Sequence, residues 1–388
     1  MRPVIDGGRM IRAAIALGLW VALASACQRE EPPRIDVKPA VIERMGPIIE
    51  AASREGPEAL RVHFDMEQLA ERATPPGLSI PERNAFLNGL RDSLGADGGG
   101  LLTAVAGSGY SYRGVAWRDG RPVARFRFLP PAGGFNFHDL VLSRRPDGTY
   151  RVVDLFVMTS SEYLTESMRR VAVFLLGDTS SLATRIFGDQ GVTQEEISDV
   201  RTFNELAAGG DPEAALRAYE ALTPRVRSQR SVRLMRVQVA SRLDDEARYL
   251  AILNETAVNM PGDPALSSMM LDAHFLEQNW TGCLADLDAI RQTYQDPYID
   301  SFEGRVRIEA GQVEEALAIA DRVIAEEDSL LDGHDIALLA ALRLGRTDRA
   351  RRELDRLVAD HQVDPVALAG IAGYEGVRDL PAAAAPAP

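Results

Sequence analysis

Apolar positions along this chain change their spacing twice. Up to residue 95 they recur every three or four places, as on one face of a helix. Val41, Met45, Ile48, Ile49 and Ala52 form one such face, Phe64, Met66, Leu69 and Ala70 a second, and Phe86, Leu87, Leu90 and Leu94 a third. Ser79-Ile80-Pro81-Glu82 sets a serine and an acidic residue three apart, a pair that satisfies the free N–H groups of a starting helix. Gly95 and Gly98-Gly99-Gly100 end this regime, and the period becomes two. Tyr110 to Trp117, Val123 to Leu129, Phe135 to Arg144 and Tyr150 to Met158 are predicted strands. Asp119-Gly120 and Asp147-Gly148 are hairpin turns between them, and Pro130-Pro131 with Gly133-Gly134 makes a loop. In the second strand Ala124, Phe126 and Phe128 share one side, Val123, Arg125 and Arg127 the other. Helices followed by an antiparallel meander predict an α+β domain over 38–165. A helical connector follows over 166–208, with Val171, Phe174 and Leu175 inward, a short piece from Ser180 to Phe187, and a capping box at Thr193-Gln194-Glu195-Glu196.

From residue 209 a longer rhythm takes over. Gly210, Asp244, Gln278, Gly311 and Gly345 stand 33 or 34 residues apart. Five places after each come Ala215, Tyr249, Cys283, Ala316 and Ala350. Nine places after come Tyr219, Leu253, Leu287, Ala320 and Leu354, and twelve after come Leu222, Thr256, Ile290, Val323 and Leu357. A turn residue, then a small residue, then apolar residues at helical spacing describes a unit of two helices. One such hairpin cannot bury its own apolar face, so the units must stack. The alternative is an irregular helical bundle.

The period and its small residues resemble the tetratricopeptide repeat, with Gly304 at the family's small first-helix position and Pro261 closing a unit; Tyr249 departs from the small-residue pattern. The resemblance implies an all-α solenoid over 209–372 and a groove lined by the first helix of each repeat. Mapped position by position, it places Met235, Gln238, Met269, Asp272, Phe275, Tyr298, Phe302, Arg305, Asp335 and Leu339 in that groove. It implies a protein or peptide partner there, with Phe302 and Arg305 on one face to meet a side chain or carboxylate. The competing assignment is core packing for Phe275 and Phe302 and a solvated ion pair for Arg305.

The α+β domain resembles the nuclear-transport-factor-like fold, helices against a curved sheet, and within it the phospholipid shuttle of the Mla pathway. Phe64-Asp65-Met66 and Asp147-Gly148-Thr149-Tyr150-Arg151-Val152-Val153-Asp154 carry that resemblance, with Tyr150 where Trp is more usual. It implies a second possible role, a carrier of lipid or a small hydrophobic ligand. Asp65, His138, Asp139 and Asp154 are the polar residues of otherwise apolar stretches and so the candidates for acid–base work. No spacing joins them into a set. The structural assignment is that Asp65 caps a helix, Asp154 ties a strand to a loop, and His138 faces solvent.

The amino terminus adds an address. Arg2, Arg9 and Arg12 precede an apolar run from Ala13 to Ala24, too short for a stable spanning helix, which predicts a signal peptide over 1–26. Leu23-Ala24-Ser25-Ala26-Cys27 resembles the lipobox of bacterial lipoproteins, implying an acylated Cys27. Gln28 after it, with no Asp there, implies by the same resemblance residence at the outer membrane facing the periplasm, and Pro32, Pro33 and mixed charges predict a tether over 27–37. Two or more acyl chains hold where one binds weakly. Cleavage after Ala24-Ser25-Ala26 to release a soluble protein is the rival. The net charge of −14 lacks the basic stripe that nucleic acid requires. The five histidines show no metal-ligand spacing, and no phosphate-binding glycine loop or nucleophile motif occurs, so neither metal, cofactor nor catalysis is expected. Residues 373–388, ending in alternating Ala and Pro, predict a disordered tail.

Overall fold

A computed structural model describes residues 37–75, 78–94, 101–106, 109–130, 134–175, 193–260 and 264–381. The signal segment, Cys27, the tether as far as residue 36, the connector piece 180–187 and the final Ala-Pro run lie outside the described residues. The chain divides into two compact units, one holding Ile11–Pro261 and the other built on Gly262–Pro388.

The first unit begins with helices α1 (Pro39–Glu55), α2 (Pro57–Arg61), α3 (Met66–Ala73), α4 (Ile80–Leu94) and α5 (Leu101–Val105). A five-stranded antiparallel meander follows: β1 (Gly109–Arg118), β2 (Arg121–Leu129), β3 (Asn136–Arg144), β4 (Tyr150–Val157) and β5 (Glu162–Tyr163), in that spatial order. The register sets Tyr112 opposite Phe126, Phe126 opposite His138 and Leu140 opposite Leu155, so these side chains share one face. With Tyr110, Phe128 and Leu142 they bury against Ile42 and Ile49 of α1, Leu60, Leu69 and Leu102. Strand β5 and helix α5 were not predicted; two and five residues are too short to show a period.

Helix α1 is fastened to β1 where the strand is irregular. The register slips between Tyr112 and Val115, and Gly114 there has φ +99°, a left-handed backbone that glycine adopts without strain. The Tyr112 N–H donates to Glu50 Oε2 of α1 at 3.2 Å. One turn earlier, a Cβ on Gly46 would stand 2.3 Å from the Tyr112 ring, so the ring lies directly on the helix backbone. Phe64 joins the other side of the sheet by a parallel bridge to Val152, with the Asp65 N–H donating to Val152 O and the Val152 N–H to His63 O.

The rest is helical. The first unit continues with α6 (Leu164–Leu175), α7 (Gln194–Ala208), α8 (Pro212–Ala221), α9 (Pro224–Arg227), α10 (Arg230–Ala240) and α11 (Glu246–Asn259). The capping box at Thr193 and Glu196 forms as expected. The second unit holds α12 (Pro264–Leu276), α13 (Trp280–Thr293), α14 (Pro297–Glu309), α15 (Val313–Glu326), α16 (Leu331–Arg343), α17 (Thr347–His361) and α18 (Pro365–Leu368). Within it each helix from α12 to α17 packs on the next, and α14 also touches α16. Among the described residues, no helix is long and apolar enough to cross a membrane.

The 34-residue rhythm is visible in backbone and burial together. Gly210, Gln278, Gly311 and Gly345 all take left-handed φ between +56° and +87°, which turns one helix into the next. The residue after the turn caps the second helix in three units: Asp211, Asp245 and Asn279 accept from Ala214, Arg248 and Gly282 N–H. All fifteen residues at the fifth, ninth and twelfth places are buried. Cys283 is among them, its thiol pushed up to about 12 chiefly by burial.

A buried ion pair joins α16 to α17. His334 Nδ1 lies 2.6 Å from Glu353 Oε2, and Nε2 lies 2.9 Å from the Asp328 carbonyl. With acceptors at both nitrogens the imidazole holds its proton: the Glu353 hydrogen bond raises its pKa above 6.5, against burial. Burial pushes Glu353 up, but His334 and Arg349 together leave it below its usual value. The signs bound a window. The histidine's contribution is complete below about pH 6.5 and fades as pH rises through its raised folded pKa; the glutamate's is complete above about pH 4.5 and fades as pH falls. Urea midpoints of the intact chain should therefore fall on the alkaline side of neutrality, and His334→Gln should flatten that limb. An unchanged alkaline limb in the variant would remove His334 as its source.

Candidate functional site

The ten groove candidates divide between the units. Met235 and Gln238 lie half-buried on α10 in the first unit. The other eight lie on α12, α14 and α16 in the second. Met269, Asp272, Tyr298 and Leu339 are buried, whereas Phe275, Phe302, Arg305 and Asp335 are half-buried. The aromatic rings are used in packing. Tyr298 meets Phe302 edge-on at 5.3 Å between centroids, and Phe275 meets Trp280 at 5.5 Å.

Arg305 and Asp335 come together, which their separate mapping did not foresee. The Arg305 guanidinium pairs with Asp335 Oδ2, and a third residue completes the cluster: Tyr374. Arg305 Nη2 donates to Tyr374 Oη at 3.2 Å, and that hydroxyl donates to Asp335 Oδ1 at 2.6 Å. Burial, with Asp335 beside it, raises the phenol well above its ordinary pKa, so the hydroxyl keeps its proton. Tyr374 is 2% exposed. The expectation of a disordered tail from 373 therefore fails over its first part: Glu375–Asp379 is a 3-10 helix, and Tyr374 and Val377 belong to the same apolar cluster as Ile336, Leu339 and Leu354. Sequence reasoning missed Tyr374 because Gly373-Tyr374-Glu375-Gly376 reads as loop. The available signal was one aromatic residue ahead of an Ala-Pro run otherwise without apolar bulk.

The four acid–base candidates of the sheet domain each have other employment. Asp65 caps α3, accepting from the Gln68 N–H at 3.1 Å, and pairs with Arg145 at 3.4 Å. Asp154 accepts the Leu155 and Thr165 N–H groups on Oδ1 and the Thr165 hydroxyl on Oδ2 at 2.6 Å, tying β4 to the start of α6. Burial raises its carboxyl to about 6 despite those bonds. Adjacent residues of a strand point to opposite faces, and this separates the other two. Asp139, fully buried, takes Arg125 Nε at 2.8 Å on Oδ1 and Arg125 Nη2 at 3.0 Å on Oδ2, with Arg118 Nε at 2.7 Å on Oδ2. The Arg118 guanidinium also lies 3.5 Å above the Phe156 ring.

His138 is a correction. Instead of facing solvent it is 4% exposed on the helix-covered face, 5.2 Å from the Phe128 ring and 5.7 Å from Tyr110. The alternation that put Phe126 inward carries across the register to His138 and could have found it. Burial lowers its pKa to about 4, so at neutral pH it is an uncharged imidazole. Its Nδ1, like the Tyr112 hydroxyl beside the same strip of rings, is buried with no hydrogen-bond partner.

Among the described residues, no group of histidine, cysteine and acidic side chains is arranged to hold a metal ion. Comparison with protein-family models, with curated proteins and with solved structures finds no match to this chain.

Proposed function

We propose that this chain is a lipid-anchored envelope protein whose tetratricopeptide-like repeats form a solenoid that holds a protein or peptide partner, with no chemistry of its own. The observation that carries this reading is the repeat itself. Fifteen interval positions across five units are buried, and four of the five turns share one left-handed conformation. A chain spends that regularity on stacking like units, and stacked units present a long surface suited to polypeptide. The lipobox resemblance at Cys27 supports the anchor and the outer-membrane address, and a nuclear-transport-factor-like sheet domain between tether and array would serve as a spacer.

Photo-crosslinking in the envelope from Met235 and Phe302, read by mass spectrometry, tests the scaffold. One recurrent protein partner is expected, and only self-crosslinks would refute it. Thiol labelling tests the anchor. Cys283 is buried with its thiol pushed up to about 12, so in the native chain it resists maleimide. Acylated Cys27 has no thiol to offer. Protein extracted from membranes should thus take up label only after unfolding; native labelling that Cys27→Ser abolishes would leave Cys27 a free thiol and the anchor without support.

A second reading is favoured by one specific observation, the unpartnered polar atoms of His138 and Tyr112 within the packed face of the sheet. Buried polar atoms ordinarily have partners, and a small hydrophobic ligand with one polar group would supply one. That is the carrier function. Native mass spectrometry of the purified chain should then show a retained small molecule that His138→Phe loses; a wild-type mass equal to that of the protein alone removes this reading.

A further inference from the structure

The Arg305–Asp335–Tyr374 cluster has a composition that says what it recognises. Arg305 and Asp335 neutralise each other, so their joint site has no net charge with which to favour a carboxylate or an ammonium group. Beyond their mutual contact Arg305 keeps N–H donors and Asp335 an acceptor oxygen, and a single neutral hydroxyl meets both, accepting from Arg305 Nη2 and donating to Asp335 Oδ1. A phosphorylated tyrosine would bring a doubly charged group against the Asp335 carboxylate.

The backbone around Tyr374 is shaped to the same surface. Gly373 takes φ +90°, and a Cβ there would come 3.3 Å from Leu339 Cδ1. A Cβ on Gly376 would come 3.3 Å from Leu342 Cδ2. Both leucines belong to α16, so the two glycines let the chain lie directly on that helix with the tyrosine as its anchor. The segment has little structure of its own. Helix α18 has four residues and the 3-10 helix five, and such pieces are held by what they touch.

We propose that the shared surface of α14 and α16 is a receptor for a tyrosine-bearing Gly-Tyr-x-Gly turn, and that residues 371–380 are its resident occupant, in the place a partner peptide of the same chemistry takes. The inference rests on the scaffold reading for the existence of such a partner; it names the partner's chemistry and the group it must displace.

The test uses a fluorescent peptide of residues 371–381 added in trans to the full chain. Tyr374→Ala frees the surface and should bind the peptide with an affinity about tenfold or more above wild type, the worth of a buried charge-assisted hydrogen bond. Asp335→Asn in the Tyr374→Ala background, and the phosphotyrosine form of the peptide, should each abolish the gain. Equal binding by wild-type and Tyr374→Ala chains, or no binding by either, overturns the proposal. So does unfolding of a chain ended after Gly370, because a segment the fold cannot spare cannot be exchanged. The peptide is the chain's own, so the assay reads this surface even if no envelope partner is recovered by crosslinking.

Discussion

Asp139→Asn is expected to destabilise the sheet domain by about 3 to 5 kcal/mol, because the substitution leaves two guanidinium groups facing one another without the carboxylate between them. The Asp139 side chain is 1% exposed, while the Arg118 and Arg125 side chains retain 16% and 14%. Partial access lets the arginines turn toward water, which places the cost toward the lower end of that range. The cost arises from breaking the group rather than from the group as such. Exchanging Asp139, Arg118 and Arg125 together for apolar residues of similar volume should recover much of it, since such residues often replace a buried ionic group without loss. Thermal unfolding followed at the tyrosines and tryptophans would measure both. A single variant within about 1 kcal/mol of wild type would mean the two arginines are held by the Phe156 ring and other neighbours rather than by Asp139.

The second large effect tests the repeat. Leu287 is fully buried at the ninth place of its unit, on α13. Leu287→Ala should cost about 2 to 5 kcal/mol, the transfer loss plus whatever cavity α13 and its neighbours cannot close. Leu253 and Leu354 occupy the same place in other units and are equally enclosed, so their alanine variants should lose comparable amounts. Asp288, beside Leu287 but 66% exposed, is the control and should change little on conversion to alanine. If the three leucine variants spread widely while the control matches them, the interval positions are not equivalent and the regularity lies in the sequence alone.

That regularity was legible beforehand because it depends on spacing, which a sequence displays directly. Gly210, Gln278, Gly311 and Gly345 announced their turns by recurring, even where glutamine replaced glycine at φ +56°. The meander was legible for a similar reason: alternation and the two Asp-Gly turns fix the four long strands to within two residues at either end. Partnership across the chain was not. Nothing local pairs Arg305 with Asp335 thirty residues on, or brings Tyr374 to both, since these contacts depend on how α14, α16 and the last segment lie together. His138 shows an intermediate case. Its neighbours Phe137 and Asp139 obscured the period of two, and only the register with Phe126 reveals which side it takes.

Two arginines reach back by about one repeat to the end of an earlier helix. Arg242 Nη2 donates to the Ala207 carbonyl at 2.6 Å, and Arg343 Nη1 to the Ile308 carbonyl at 2.8 Å. Each brings a side-chain donor from one helix to a carbonyl in the last turn of another. Rivets of this kind join only adjacent turns of the chain, so pulling on one extremity loads the nearest rivet before any other. If the hairpins stack as proposed, each helical stretch extended by force should lengthen in discrete jumps of one hairpin, a sawtooth rather than a single rupture.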